Sequence, residues 1–167
     1  PFTSELTGNA TAPITVRQYP GERAKLDCWG VGSETPPVLK INGAWAIFRD
    51  FEITCSVAER TSIRPTGIDM FASNSKLVNL VVHDNGVGIG FWANAENSEV
   101  YGCVIYNNGW QENAADRGHG HAIYAQNELG SKRIAGNVAG NQYGNGYTVF
   151  GRQGPLQGVT LEDNIAW

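Results

Sequence analysis

Charge is the first thing this chain is short of. Only 17% of its 167 residues are Asp, Glu, Lys or Arg, and the formal net charge is −4. A chain so poor in cations offers no basic surface to nucleic acid or to an anionic membrane, so neither is expected as a partner. Long apolar runs are missing too, and nothing approaches the length of a bilayer-crossing helix. Apolar residues do not recur at the 3.6-residue spacing of amphipathic helices, which argues against a helical bundle. Cysteine is sparse: Cys28, Cys55 and Cys103 form an odd set without CxxC spacing. Neither a zinc motif nor a disulfide framework is expected, and all three are read as small buried residues. Methionine occurs once, at Met70.

Glycine, by contrast, is abundant at 21 residues, and asparagine is frequent. Both tolerate left-handed backbone, so a chain rich in them is dense with tight turns. Between the turns lie short β-branched runs, and one motif is stated twice. Lys76-Leu-Val-Asn-Leu-Val-Val-His-Asp-Asn-Gly86 is followed 23 residues on by Glu99-Val-Tyr-Gly-Cys-Val-Ile-Tyr-Asn-Asn-Gly109. Gly67-Ile-Asp-Met-Phe-Ala72 likewise returns as Gly88-Ile-Gly-Phe-Trp-Ala93. A strand-bearing repeat with a period in the twenties is the signature of a solenoid. The expected fold is all-β, a single-stranded right-handed parallel β-helix forming one domain over residues 1–167.

Aligning the repeats stacks Phe48, Leu77, Val100, Ile134 and Leu161 in one column. A second column reads Phe51, Leu80, Cys103, Asn137 and Asn164. Alternation along a strand turns both columns inward, and in-register Asn side chains can satisfy one another from coil to coil. Ser56–Thr66 is a polar loop with room for one helical turn around Val57–Arg60. Trp110–His121 is an insertion that stretches the repeat, with Gly102 matching Gly136. The chain begins at Pro1 without a charged and apolar leader and stops at Trp167 inside a strand-like run. Neither end carries the polar cap that solenoids need, so the chain is read as a piece of a longer β-helix, and its open coils are expected to associate end to end.

Ala12-Pro-Ile-Thr-Val-Arg-Gln-Tyr-Pro-Gly-Glu-Arg23 and Gly118-His-Gly-His-Ala-Ile-Tyr-Ala-Gln-Asn127 resemble bacterial right-handed parallel β-helix proteins of the pectate-lyase-like superfamily. The resemblance spans nearly the whole chain. It implies a secreted protein that binds an extended polysaccharide along the outside of its stacked strands. Members include polysaccharide lyases, glycoside hydrolases and epimerases. The paired-Asp pattern of polygalacturonase-like hydrolases is absent, which argues against that activity. The expected reaction is a lyase's, acting on a uronic-acid glycan; the alternative is a non-catalytic glycan-binding or structural module.

Alternation around Gly67–Ala72 and its repeats turns Asp69, Phe71, Trp92, Tyr124, Gln126, Thr148 and Phe150 outward on one face. Exposed aromatic rings there suit the flat faces of sugars. Asp69, Phe71, Trp92, Gln126 and Arg152 are therefore the expected substrate-binding residues. The insertion and the strand after it supply acid–base and cationic groups, so Arg117, His119, His121 and Tyr124 are the expected catalytic set. Alternation back from Ile123 turns His121, and with it His119, toward the core, but the glycines at 118 and 120 can break that alternation, so parity leaves their side open. His119-x-His121 lacks a third ligand and no metal site is assigned; no cofactor is evident, with calcium left open. His83-Asp84 is read as turn chemistry, since Tyr106-Asn107 replaces it one coil later, and Lys132-Arg133 is read as lying outside the apolar columns.

Overall fold

A computed structural model describes residues 1–116, 118–151 and 154–167. The chain winds through six coils of three strands each. The first coil comprises β1 (Phe2–Ser4), β2 (Ile14–Arg17) and β3 (Lys25–Asp27). The second comprises β4 (Leu39–Ile41), β5 (Ala46–Arg49) and β6 (Glu52–Thr54). β7 (Ile68–Met70), β8 (Lys76–Val78) and β9 (Val81–His83) make the third. The fourth is β10 (Ile89–Phe91), β11 (Ser98–Tyr101) and β12 (Val104–Tyr106). Then come β13 (His121–Gln126), β14 (Lys132–Ala135) and β15 (Val138–Gly140). β16 (Asn145–Phe150), β17 (Val159–Glu162) and β18 (Ile165–Ala166) close the series. Equivalent strands pair in parallel, so the first strands of all coils form one six-stranded sheet, the second strands another and the third strands a third. This is a parallel β-helix, as the repeat requires.

The corners set the register. Between the second and third sheets the chain turns on Asp50, Asn79, Gly102, Gly136 and Asp163, all left-handed with φ of 64, 51, 65, 63 and 54°. These residue types accept that backbone most readily. The N–H groups of the first four donate to the next coil, as Asn79 N does to Tyr101 O at 2.9 Å and Gly102 N to Ala135 O at 3.1 Å. The residue after each corner is the second inward column, and Leu80, Cys103 and Asn137 are fully buried there. The first column pairs as read from the sequence, Phe48 with Leu77, Val100 and Ile134 in turn. Leu161, which no further coil covers, is 44% exposed.

Buried amides are satisfied along the stack. Asn164 Oδ1 accepts from Asn137 N at 3.0 Å and Nδ2 at 2.9 Å, and Asn137 Oδ1 accepts from Cys103 N at 2.9 Å. A second ladder follows the corner after the third sheet: Asn108 Oδ1 accepts from Asn85 N, and Gln142 Oε1 accepts from Asn108 N and Nδ2. Each rung replaces a lost water contact inside the solenoid.

Three expectations are corrected. Cys28 and Cys55 form a disulfide that ties the first two coils together, although their spacing carries no motif. Only register reveals the pair: Asp27 lies opposite Thr54, so the next residues are stacked neighbours. Cys103 alone is free, and burial pushes its thiol up to about 12. The loop at 55–67 holds no helical turn around Val57–Arg60. Two arginines shape it instead. Buried Arg64 donates to Cys55 O at 2.7 Å and Asp84 O at 2.9 and 2.7 Å, while Arg60 donates to Asn107 O at 3.0 Å and pairs with Asp84. Lastly, Lys132 is not outside the columns but inside the solenoid, 1% exposed.

Leu80 sits at the centre of this stack, so Leu80→Ala is expected to cost about 2–5 kcal/mol through the cavity it leaves. Denaturant titration measures this, and a loss under about 1 kcal/mol would show that the column does not carry the fold.

Candidate functional site

The first sheet presents the outward row Lys40, Asp69, Gly90, Tyr124 and Thr148, each in register with the next. Two residues further along each strand lie Phe71, Trp92, Gln126 and Phe150. Four rings from these two rows run across successive coils. Phe71 and Trp92 stack with centroids 6.2 Å apart and planes 18° apart. Trp92 meets Tyr124 at 5.8 Å, and Tyr124 meets Phe150 at 6.5 Å. The strip is continuous because equivalent strands are a single sheet spacing apart.

Asp69 is the acid of this face. Trp92 Nε1 donates to its Oδ1 at 2.8 Å, which fixes the indole across the strand. Gly90 makes that bond sterically feasible, since a Cβ there would lie 2.7 Å from Asp69 Oδ1 and 2.8 Å from Trp92 Nε1. Burial raises the Asp69 pKa, while the indole N–H and the charge of Lys40 pull it the other way. The Lys40 ammonium lies 5.4 Å from the Phe71 ring centroid, a cation on the same strip.

His121 emerges on this outward face, which resolves the parity question. Its Nδ1 is 3.0 Å from Thr148 Oγ1, and its ring is 5.4 Å from that of Tyr124. His119 is held at the base of the insertion. It exchanges two backbone hydrogen bonds with Trp110, stacks on that indole at 4.9 Å, and places Nε2 3.1 Å from Asp116 Oδ2. His119 and His121 line one depression together with Gly120 and Asn145. The insertion docks on the loop at 55–67, where Gln111 N donates to Arg60 O at 2.9 Å. These two loops stand at the corner that leads into the first-sheet strands.

The structure thus brings Asp69, Phe71, Trp92, His121, Tyr124 and Gln126 to one face, with His119 beside it. Arg117 and Arg152 lie outside the described residues. Sequence reasoning missed Lys40, although its parity matches that of Asp69. It also missed Lys132, although alternation back from Ile134 turns that residue inward. Elsewhere the outer surface is self-paired: on the second sheet Lys76 and Arg133 flank Glu99, and Arg133 also meets Glu162 at 2.5 Å. His83 stacks on Tyr106 at 4.6 Å between Glu52 and Asp84, and Asp84 is a left-handed corner residue. Among the described residues no three Asp, Glu, His or Cys side chains converge as cation ligands would.

No protein-family model and no curated protein matches the chain. Among solved structures it is similar to the crystal structure of pectate lyase Pel9A, with a TM-score of 0.66 and 19% identity. The fold is the right-handed parallel β-helix. The match covers 84% of this chain and 34% of that one, so the chain spans about a third of the lyase's length. Within that β-helix, the first sheet carries a continuous strip of aromatic side chains, half-buried from Phe71 to Tyr124 and exposed at Phe150.

The buried lysine behind the face yields a testable consequence. Burial lowers Lys132 from the ordinary 10.5 to about 7, partly offset by Glu96. Between those two values the unfolded chain holds a proton that the folded chain lacks, so this group makes stability rise with pH from about 7 to 10.5. Lys132→Met is expected to flatten the profile in that window by up to about 1.4 kcal/mol per pH unit. Thermal midpoints of both proteins from pH 6 to 10 supply the comparison, and parallel profiles would refute it.

Proposed function

We propose that this chain is a polysaccharide-active β-helix whose first sheet holds an extended glycan across the coils. The strip Phe71–Trp92–Tyr124–Phe150 carries this reading. Partly exposed rings in a row across four coils suit the apolar faces of successive sugars. Asp69, Gln126 and Thr148 stand among the rings as hydrogen-bonding groups. The Cys28–Cys55 bond supports a secreted protein, since disulfides persist in oxidising compartments.

The adjacency of His121 and Tyr124 favours a catalytic version of this reading, and the similarity to a pectate lyase points to a uronate polymer as substrate. In β-elimination a base removes the proton α to the uronate carboxylate, and the electron pair forms the new double bond as the glycosidic oxygen departs with a proton. His121 suits the first task at neutral pH, and Tyr124 suits proton return. His119, Arg117 and Arg152 remain proposed contributors, the arginines as cations that stabilise the enolate. Calcium remains a proposed cofactor, and self-association a proposed property of the chain. The non-catalytic version keeps the strip and needs none of these roles.

Trp92→Ala is expected to weaken binding to polygalacturonate by about 0.5–1.5 kcal/mol beyond the loss of buried area. His121→Ala is expected to leave binding largely intact and to abolish formation of unsaturated product, as for a group acting in the transition state. Affinity electrophoresis and absorbance of the new double bond read the two effects. Binding without turnover in the wild type selects the non-catalytic version; no binding to any polysaccharide refutes the proposal.

A further inference from the structure

Behind the aromatic strip lies an arrangement that stability alone does not explain. Lys132 is wholly inside the solenoid, yet its ammonium has no carboxylate in contact. It donates instead to three carbonyls of a single turn: Trp92 O at 2.7 Å, Ala95 O at 2.7 Å and Ala93 O at 3.4 Å. The ring of Phe91 lies 4.5 Å away on the same side. Burying an ammonium is expensive, and an apolar residue of equal size would serve the core better. The three acceptors all belong to the turn at 92–95, where the first-sheet strand of the fourth coil leaves the face.

That turn is the wall of a depression lined by Phe71, Trp92, Ala93, Asn94 and Gln126. Gln126 forms its far side and is only 9% exposed. Its side-chain amide, unlike Asn85 Oδ1 and Asn127 Oδ1, is not sealed from solvent. The amide is therefore open to the depression, where a bound ligand can take its hydrogen bonds. The amide offers one acceptor and two donors, the complement of two adjacent hydroxyl groups. Phe71 and Trp92 offer the flat apolar surface that the same ring requires.

Resting on the glycan reading above, we infer that the depression between Trp92 and Gln126 is a subsite for one pyranose ring presenting adjacent hydroxyls, and that Lys132 is the positioning residue that holds its wall. Trp92 is then held twice, by its indole to Asp69 and by its carbonyl to Lys132. Gln126 receives the ring's hydroxyls on its open amide.

Calorimetric titration of polygalacturonate and of a neutral galactan against single and double variants tests this. Gln126→Leu keeps volume and removes both hydrogen-bonding functions, and is expected to weaken binding of the preferred polymer about threefold to tenfold with an unchanged thermal midpoint. Lys132→Met is expected to weaken binding in the wild-type background and to have no further effect in Trp92→Ala, because it acts through that wall. A lysine that only supports the fold would leave the cycle additive, whatever its effect on the thermal midpoint, which overturns its positioning role. If the wild type binds and Gln126→Leu binds equally well, the subsite is refuted while the glycan face stands. If neither polymer binds the wild type but another polysaccharide does, the same cycle is run on that polymer; if none binds, the glycan face and the subsite fall together.

Discussion

The parallel stacking of one coil on the next is the constraint from which everything else in this protein follows. Each coil contributes short strands whose backbone groups are satisfied only by the coils above and below. Register is therefore set at the corners, where Asp50, Asn79, Gly102, Gly136 and Asp163 turn the chain in the left-handed region and the first four hand a hydrogen bond to the neighbouring coil. Because the side-chain period is two, fixing a corner fixes which residues of the adjoining strands face inward. The first inward residue after that corner is Phe51, Leu80, Cys103, Asn137 or Asn164 in successive coils, and apolar and amide side chains occupy the same column without disturbing the stack.

The interior tolerates polarity wherever the stack supplies partners. Asn85, Asn108 and Gln142 pass hydrogen bonds along one ladder, Asn137 and Asn164 along another. Arg64 occupies the end of the first ladder, where the loop at 55–67 departs from the repeat, and gathers the carbonyls of Cys55 and Asp84. Lys132 does the same for the turn at 92–95. Where the repeat is regular, amides suffice; where the chain departs from it, a buried cation collects the orphaned carbonyls.

Three sheets sharing one interior are free to differ outside. The second sheet neutralises itself with alternating charges around Glu99, and on the third His83 and Tyr106 stack on each other beside Glu52 and Asp84. The first sheet carries a continuous strip of rings, together with an acid whose pKa is raised by burial and a histidine at the start of β13. Division of labour among faces is what lets a monotonous scaffold present a long recognition surface, since a mutation outside changes one face and leaves the shared core untouched.

The sequence by itself determined the coil, its period, the two inward columns and the outward row from Asp69 to Phe150. These are periodic properties: alternation and repeat length act on every residue alike, and the physics that stacks one coil stacks them all. It did not determine the Cys28–Cys55 bond, the non-helical course of residues 57–60, or the side on which His121 emerges. Each of these lies where the repeat is interrupted, and there a residue's neighbours come from other coils and not from its own sequence context. The bond from Trp92 to Asp69, the space that Gly90 leaves for it, and the open amide of Gln126 were likewise decided by tertiary structure. A hydrogen bond depends on distance and direction between groups more than twenty residues apart, and only the stacked coils bring those groups within reach.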